Sequence, residues 1–327
     1  MSPSAAAVQK KETGMPHTTS GTQHALRAGN YEAIIASVGA TLRTLTYDGR
    51  DLVVPFEADE VRPSHRGVTL APWPNRVVDG TYTFAGVERR LALTEPARHH
   101  ALHGLAVWLD YEAVDKGPSH VTLAATIPAQ TAYPWRLDIE TTFSLTADGL
   151  TQSVTVTNTA STPAPWGTGP HPYLVAGDGL VDAWTLELPA SQVLTVTDER
   201  LIPIELRDVD ADDPQRFDFR AARRIGAAEI DHAYTGLERD ADGVATVRVT
   251  DDAGRGVEMS WDAACPWVQV HTADKPDPAT SRIGLAVEPM TCAPDAFNAA
   301  KYDYDAGLIV VEPGASSTAS WRIAAIV

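Results

Sequence analysis

Short runs of alternating apolar and polar residues, separated by turns rich in Gly, Asp and Pro, continue along the chain from Ala25. Such alternation is typical of half-buried β-strands, because successive side chains point to opposite faces of a sheet. Asp148-Gly149 lies between two alternating runs, where an Asp-Gly pair is a strong hairpin signal. Hairpins are predicted over residues 79–91, 143–158 and 243–261, and at most one short helix over residues 216–226. The pattern predicts an all-β sandwich or barrel.

The same pattern extends without a linker to the last residue, which predicts a single domain over residues 25–327. Residues 1–24 are rich in Ser, Thr, Ala and Gly and predict a disordered tail. This segment lacks the apolar stretch of a secretory signal peptide. No apolar run reaches the ~18 residues that a membrane-spanning helix requires. We therefore expect a cytoplasmic protein with no membrane partner.

The charge balance narrows the classes of partner. The sequence has 26 Lys and Arg residues against 43 Asp and Glu residues, a formal net charge of −17. Nucleic acids and anionic membranes bind basic surfaces, so this excess of acidic residues argues against both. Neutral small molecules and protein partners both remain open, and exposed sheet edges make a homodimer plausible. Cys265 and Cys292 are expected to be reduced thiols packed inside the domain.

One histidine lies between two prolines, in the stretch WGTGPHPYL over residues 166–174. Proline fixes its own φ and disfavours helical backbone in the residue before it, so His171 should be held extended after a bend at a glycine pair. Pro289 should hold Glu288 in the same way. A fixed imidazole and a fixed carboxylate suit general acid–base catalysis. The alternatives are a structural histidine and an exposed glutamate at a strand end.

The predicted strand that leads to Glu288 has two different faces. Leu285 and Val287 share one face. Gly284, Ala286 and Glu288 share the other, which has little side-chain bulk before the carboxylate. We interpret this second face as room for a ligand.

Several other polar residues could contact a small polar ligand. Asn75 and Arg76 follow Trp73 in APWPNR, and a stiff aromatic ring beside a guanidinium suits sugar recognition. The ring would cover C–H surface while the guanidinium donates to hydroxyl groups. Asp231 in IDHAYT could accept hydrogen bonds from hydroxyl groups. Each residue could equally be an ordinary surface residue in a turn.

The histidines of RHHALHGL, residues 98–105, raise the question of a metal site. Strand alternation would place His99 and His103 on one face and His100 on the other, with no acidic or cysteine ligand at a usual spacing. We therefore expect no metal. His103 is interpreted as a hydrogen-bond donor in the wall of a site, and His99 and His100 as residues without a functional part.

Five motifs together resemble one family. The stretches PWPNRVVDGTYTF, ALHGL, GPHPYL, IDHAYT and LAVEPMTCAPDAFN follow the order and approximate spacing found in the aldose 1-epimerase (galactose mutarotase) family, across nearly all of residues 25–327. The sequences APWPNR and AVEPMTCAPDAFN most resemble those of a bacterial branch that includes sulfoquinovose mutarotases. The resemblance implies a galactose mutarotase-like β-supersandwich of large antiparallel sheets with an open sugar cleft.

The resemblance also implies a reaction and the residues for it. Glu288 would be the general base that takes the proton of the C1 hydroxyl, and His171 the general acid that protonates the ring oxygen. The ring opens, C1 rotates about its bond to C2, and closure gives the other anomer. Arg76, Asp231 and His103 match substrate-contacting positions, and neither a cofactor nor a metal is required. We expect acid and base on opposite sides of the sugar ring.

The sequence departs from the family pattern at two places. Pro170 precedes His171 where better-known members have Asn, and His271 stands where an aromatic residue is frequent. Gln269 and His271 share a predicted strand face with Trp267, so all three could line the cleft, with Gln269 as a substrate-binding residue. These differences bear on the identity of the sugar more than on the reaction.

Three other functions remain open. A mutarotase for sulfoquinovose or another modified sugar would need a further cation, for which Arg62, Arg66 and Lys301 are candidates. A non-catalytic carbohydrate-binding or sensing protein would keep the sugar contacts without needing the acid–base pair. A β-sandwich polysaccharide lyase or hydrolase could use the same cleft. Hydrolysis commonly needs a pair of carboxylates, and Asp231 and Asp295 are the candidates for a second one.

Overall fold

The computed structural model describes residues 18–327. Residues 1–17 of the predicted tail lie outside the described residues. The rest of that tail, residues 18–24, is part of the folded domain. Its first strand starts at Gln23, and the Ser20 amide and hydroxyl both donate to the Ala58 carbonyl.

Nearly all of the regular structure is β-strand. The strands in the first half of the chain are β1 (Gln23–Ala28), β2 (Tyr31–Ala36), β3 (Thr41–Tyr47), β4 (Arg50–Asp51), β5 (Thr69–Leu70), β6 (Arg76–Val78), β7 (Thr81–Phe84), β8 (Val87–Arg90), β9 (His100–Leu102), β10 (Glu112–Lys116), β11 (His120–Ile127), β12 (Leu137–Thr146) and β13 (Gly149–Asn158). Those in the second half are β14 (Ala164–Trp166), β15 (Gly169–Pro170), β16 (Tyr173–Leu174), β17 (Thr185–Glu187), β18 (Ala190–Val196), β19 (Pro203–Asp208), β20 (Arg223–Arg224), β21 (Asp231–Leu237), β22 (Ala245–Thr250), β23 (Gly256–Trp261), β24 (Trp267–His271), β25 (Leu285–Met290), β26 (Ile309–Val311) and β27 (Ser316–Ile326). The helical segments are α1 (Pro214–Phe217) and the 3₁₀ turns Pro63–His65, Val181–Ala183 and Ala296–Lys301.

Three large sheets organise these strands. The largest has nine strands in the order β10-β11-β12-β13-β27-β23-β22-β17-β20. A six-stranded sheet has the order β16-β25-β24-β21-β18-β19, and a four-stranded sheet the order β1-β2-β3-β4. All strand pairings within these sheets are antiparallel, which confirms the predicted all-β class.

The local predictions largely hold. The three predicted hairpins form as β7–β8, β12–β13 and β22–β23, and the last residue of β12 pairs with Gly149. The predicted short helix over residues 216–226 is instead the single turn α1, because the chain after it runs into β20. Within residues 18–327, no helix is both long enough and apolar enough to cross a membrane.

The main hydrophobic core takes side chains from all three large sheets. Leu45 of the four-stranded sheet, Phe143 of the nine-stranded sheet and Val287 of the six-stranded sheet are all fully buried in it. Burial alternates along β12 and β13, as expected for strands with one face on a core. Both cysteines are free and buried, as predicted.

The six-stranded sheet differs from this pattern because its second strand, β25, is buried on both faces. All six residues of β25 are buried. Leu285 and Val287 face the main core, as the alternation predicted, and Glu288 faces the other way. A strand pairing places Gln269 of β24 directly opposite Glu288, and the next strand brings Asp231 opposite His271. One face of this sheet therefore collects four polar side chains.

Candidate active site

A pocket of about 500 Å³ lies over this polar face of the six-stranded sheet. Its size falls in the range of roughly 300–1,000 Å³ that is usual for small-molecule sites. The lining residues are Ser64, His65, Asn75, Arg76, Glu95, Arg98, Leu102, His103, His171, Tyr173, Asp231, Gln269, His271, Asp274, Lys275, Pro276 and Glu288. All predicted site residues except Trp73 are in this set.

His171 is fixed in the short segment between β15 and β16. Its amide donates to the Val68 carbonyl at 3.1 Å, and its own carbonyl accepts from the Gly67 amide at 2.7 Å. The ring stacks on Tyr173, with ring centres 5.1 Å apart. Gly169 does not provide the predicted bend through a positive φ; a Cβ there would lie 2.6 Å from the Pro289 carbonyl oxygen. The absence of a side chain at Gly169 therefore allows the segment that carries His171 to pack directly against β25, which carries Glu288.

Glu288 lies deep in the pocket and is 2% exposed. The interpretation of the small residues that precede it is wrong. A Cβ on Gly284 would lie 2.4 Å from a Val54 methyl group and 3.0 Å from Tyr173 Cβ. Ala286 is buried in a small apolar cluster with the same two residues. The small side chains make room for protein packing, and the pocket begins at the carboxylate.

The predicted acid and base are direct neighbours. His171 Nε2 lies 3.5 Å from Glu288 Oε1, and the two side chains are 7% and 3% exposed. The expectation of two groups on opposite sides of a sugar ring is therefore wrong. The backbone explains this, because β16, which follows the histidine, pairs with β25. Such a pair can act on two atoms that lie beside each other.

Burial shifts the pKa of both groups toward neutral forms. It raises the pKa of Glu288 well above its ordinary value, and the Asp231 carboxylate raises it further, against the opposing effect of Arg76. Burial lowers the pKa of His171 well below its ordinary value, and His65 and His271 lower it further. Both shifts favour the uncharged form of the group, the protonated carboxyl of Glu288 and the neutral imidazole of His171.

Several buried polar atoms of the lining have no partner within residues 18–327. They are Glu288 Oε2, Gln269 Oε1, His103 Nδ1 and His171 Nδ1. Buried polar atoms in proteins are nearly always hydrogen-bonded, so a group of exceptions in one pocket indicates that water or a polar ligand binds there.

Arg76 starts β6 and is the most strongly paired cation of the pocket. Its Nε donates to Glu95 Oε2 at 2.8 Å, and its Nη2 lies 3.9 Å from Asp231 Oδ2. Asn75 Oδ1 accepts from the Arg76 amide at 2.9 Å. Gln269 Nε2 donates to Asp231 Oδ1 at 2.6 Å. Four of the predicted substrate-binding residues thus form one hydrogen-bonded and ion-paired group.

Two further histidines stand beside His171. The ring centre of His103 lies 5.0 Å from that of His171, and the ring centre of His65 lies 4.7 Å from that of His103. Burial lowers the pKa of His65 to about 4 and that of His103 well below its ordinary value, so both are neutral hydrogen-bonding groups near pH 7. His65 and the preceding Ser64 both have left-handed backbone, with φ of 58° and 47°. Non-glycine residues in this region are strained and concentrate at functional sites.

Two aromatic residues do not lie where we expected them. Trp73 is 3% exposed and packs in the main core, where its Nε1 donates to the Ala101 carbonyl. Its ring therefore cannot cover a sugar in this pocket, and the prediction for it is wrong. Trp267 packs with Leu194 and Met290 in a separate apolar cluster. His271 and Gln269 line the pocket without it.

The cations that line the pocket besides Arg76 are not the ones we predicted. Arg62 is buried and donates to the Val38 and Val107 carbonyls, and Arg66 donates to the Pro55 carbonyl. Neither of these, nor the exposed Lys301, lines the pocket. Lys275 and Arg98 line it instead.

No group of three or more His, Cys, Asp or Glu side chains in the described part of the chain is arranged to hold a metal ion. Neither His99 nor His100 lines the pocket. His100 is buried elsewhere, with Nε2 2.8 Å from the Arg200 carbonyl oxygen. Asp295 is also outside the pocket, where it accepts from the Val78 amide.

The family model named Aldose 1-epimerase matches residues 22–324. The chain belongs to the aldose 1-epimerase family. A relative, the uncharacterized protein YihR of Escherichia coli K12, is 37% identical over 280 residues, which cover 85% of this chain and 87% of the relative. Family membership supports a mutarotase-type isomerase activity in general.

Solved structures of this family share the fold. A candidate aldose 1-epimerase from Escherichia coli K12 has a TM-score of 0.79 at 22% identity, over 93% of this chain and 98% of that chain. The galactose 1-epimerase of Lactobacillus acidophilus NCFM has a TM-score of 0.74 at 16% identity, over 93% and 95%. These likenesses confirm the predicted galactose mutarotase-like arrangement of large antiparallel sheets.

Sequence reasoning missed five lining residues that bear on recognition: His65, Glu95, Arg98, Tyr173 and Lys275. Two of them could have been found. Glu95 and Lys275 each precede a proline, which is the signal that drew attention to His171 and Glu288. His65 lies in an irregular turn with no local motif.

Proposed function

We propose that this protein is a mutarotase that interconverts the α and β anomers of a monosaccharide by acid–base ring opening and closure. The observation that carries the proposal is the buried pair His171 and Glu288, with Nε2 and Oε1 3.5 Å apart in a polar pocket. The anomeric hydroxyl oxygen and the ring oxygen of a pyranose are both bonded to C1. Two adjacent proton carriers can therefore reach both oxygens at once.

The proposed steps conserve one proton on the pair. Transfer of that proton from Glu288 to His171 gives a carboxylate and an imidazolium, a form that the hydroxyl groups of the sugar stabilise through hydrogen bonds. The carboxylate takes the O1 proton while the imidazolium protonates O5, and the C1–O5 bond breaks to give an aldehyde. After rotation about C1–C2, the two proton transfers reverse and O5 attacks the other face of C1.

The remaining polar residues supply the sugar contacts. Asp231 and Gln269 present acceptor oxygens to the pocket, and Arg76 and Asn75 present donors. The neutral His103 lies beside the acid, where it can hydrogen-bond to the ring or anomeric oxygen. For Arg76, Asp231 and His103, these roles are those that the family resemblance implies.

Anomer-exchange NMR tests the proposal with galactose, glucose, xylose, arabinose and sulfoquinovose. We expect exchange faster than the spontaneous rate, in proportion to enzyme concentration, for at least one sugar. Binding without faster exchange for every sugar would support the sensing protein instead. Cleavage of a polysaccharide without anomer exchange would support the lyase or hydrolase.

A second candidate, a mutarotase for an anionic sugar, is favoured by Lys275. This lysine lines the pocket, and within residues 18–327 its ammonium has no ion-pair or hydrogen-bond partner. Burial lowers its pKa, and Arg98 and Arg66 are close enough to lower it further, against the effects of Asp231 and Asp274. An unpaired cation in this position would attract a sulfonate or phosphate on the sugar.

Lys275→Met tests this candidate by removing the charge while keeping much of the chain length. For sulfoquinovose we expect kcat/KM to fall about 10-fold or more, since a hydrogen bond to a charged group commonly contributes about 1.5–3 kcal/mol. For glucose, kcat/KM should change little. Lys301→Met, at an exposed lysine outside the pocket, is the matched control. Equal losses for both sugars would contradict the anionic specificity.

A further inference from the structure

The Arg76 guanidinium is held by one carboxylate in a two-point contact. Nε donates to Glu95 Oε2 at 2.8 Å, and Nη2 donates to Glu95 Oε1 at 3.1 Å. The two side chains are 10% and 13% exposed. Paired bonds of this kind fix the plane of the guanidinium as well as its position.

Glu95 is itself fixed from the other side. Arg98 Nη1 donates to Glu95 Oε1 at 3.1 Å. The Glu95 amide donates to the His100 carbonyl at 3.0 Å, and Pro96 restricts the backbone of Glu95, the residue before it. Both oxygens of the Glu95 carboxylate thus accept hydrogen bonds from arginine. Burial alone would raise the pKa of Glu95, but Arg76 and Arg98 outweigh it and lower the pKa.

Counting donors shows what the contact leaves for a ligand. A guanidinium has five N–H groups. Two of those on Arg76 go to Glu95, and one on Nη1 faces Asn75 Oδ1 at 3.4 Å. One N–H group remains on each Nη atom. These two N–H groups, called here the free edge of Arg76, can donate to hydroxyl oxygens of a sugar.

Without Glu95, other carboxylates would compete for this cation. Asp231 Oδ2 lies only 3.9 Å from Arg76 Nη2, and the Glu288 carboxyl is close enough to affect the pKa of Arg76. An unrestrained guanidinium would close onto these groups, which are the ones needed for the hydroxyl groups and for proton transfer. The two-point contact with Glu95 prevents this movement of the guanidinium.

We propose that Glu95 is a positioning residue that turns the free edge of Arg76 toward the sugar and keeps the guanidinium from closing further onto Asp231 and Glu288. This inference rests on the proposed mutarotase function. Glu95 acts through Arg76, so its effect should vanish when Arg76 is absent.

The test is a double-mutant cycle with Glu95→Ala, Arg76→Met and the double variant, using the sugar with the largest catalysed exchange. Glu95→Ala should raise KM about 10-fold, as expected for lost hydrogen bonds to a charged group. The double variant should match Arg76→Met alone. Losses that multiply in the double variant, or a wild-type KM in Glu95→Ala, would overturn the proposal.

The pH profile adds a readout that a purely structural role would not move. Glu288 is faced by Asp231, Arg76 and His171. Glu95→Ala lets the guanidinium approach, so the alkaline limb of kcat/KM should shift to lower pH, whereas Arg76→Met should shift it to higher pH. Shifts in the same direction would contradict the proposal.

Two variants guard against ambiguous outcomes. If Glu95→Ala does not fold, Glu95→Gln keeps the volume and one acceptor oxygen, and the same cycle is run with it. Glu88→Gln removes a carboxyl from an exposed ion pair with Arg90 and should keep wild-type values. If the wild-type protein accelerates no sugar, the proposed reaction fails, and Glu95 is judged from the dissociation constant of a sugar that binds.

Discussion

Replacing Glu288 by glutamine is the sharpest perturbation of the proposed reaction. Glutamine keeps the shape of the side chain but cannot accept the proton of the anomeric hydroxyl. A positioned proton carrier contributes about 10²–10⁴ in rate, which equals roughly 2.7–5.4 kcal/mol of activation free energy. Since Glu288 is only 2% exposed, solvent has little access to replace it. We therefore expect kcat for anomer exchange to fall by about 10³.

The folded state should survive this change. Glu288 Oε2 has no hydrogen-bond partner within residues 18–327, and burial of its carboxyl favours the neutral form, which glutamine resembles. The free energy of unfolding should change by less than about 1 kcal/mol, as measured by urea denaturation. Glu258→Gln, in the nine-stranded sheet and outside the pocket, controls for loss of a carboxyl.

The double variant with His171→Ala makes the argument stricter. His171→Ala alone should lower kcat by about 10² or more. Because the two residues share one proton, removing both should cost little more than removing one. Wild-type exchange rates in Glu288→Gln, measured by exchange NMR at saturating sugar, would refute the reasoning.

Two predictions concern pH and stability. In the proposed reaction the pair of Glu288 and His171 holds one proton, and gain of a second proton inactivates it. Burial lowers the pKa of His171 well below 6.5. We therefore expect kcat/KM to stay flat as the pH falls through 6.5 and to decrease only below it. A decrease in kcat/KM centred at the ordinary pKa of histidine, about 6.5, would contradict this prediction. Asp295, 1% exposed, accepts from the Val78 amide at 2.8 Å and the Tyr302 hydroxyl at 2.6 Å. Asp295→Asn should therefore lower the free energy of unfolding by about 1–3 kcal/mol in urea denaturation while turnover per folded molecule is kept, and a loss of turnover without a loss of stability would contradict a purely structural role.

Much of the fold, and the choice of His171 and Glu288 as residues of one pocket, could be predicted because their signals are local. Alternation and Asp-Gly pairs mark hairpins through backbone geometry alone. A proline after His171 or Glu288 restricts that residue whatever its environment, and a proline also follows two overlooked lining residues, Glu95 and Lys275. The assignment of residues 25–327 to a single domain, and a homodimer, stay predictions.

The wrong interpretations concern side chains whose meaning depends on what packs against them. An aromatic ring between two prolines looks the same in sequence whether it faces a ligand or the core, and Trp73 faces the core. A small residue leaves space that either a ligand or the protein can fill, and at Gly284 the protein fills it with Val54. The distance between His171 and Glu288 depends on how β16 pairs with β25, which no local pattern encodes.

Three carboxyl groups of the pocket differ in the direction of their pKa shift because they have different neighbours. Arg76 and Arg98 lower the pKa of Glu95 in spite of its burial. His271, Arg76 and a hydrogen bond from Gln269 lower the pKa of Asp231 in spite of its burial, so both groups stay charged acceptors. Glu288 has an unpaired oxygen and an imidazole as its neighbour, and its pKa is raised. Environments that separate the pKa values of nearby carboxyl groups separate binding from proton transfer. The two-point contact of Glu95 with Arg76 is therefore as important to the proposed reaction as the acid–base pair, because it determines which carboxyl group remains free to carry a proton.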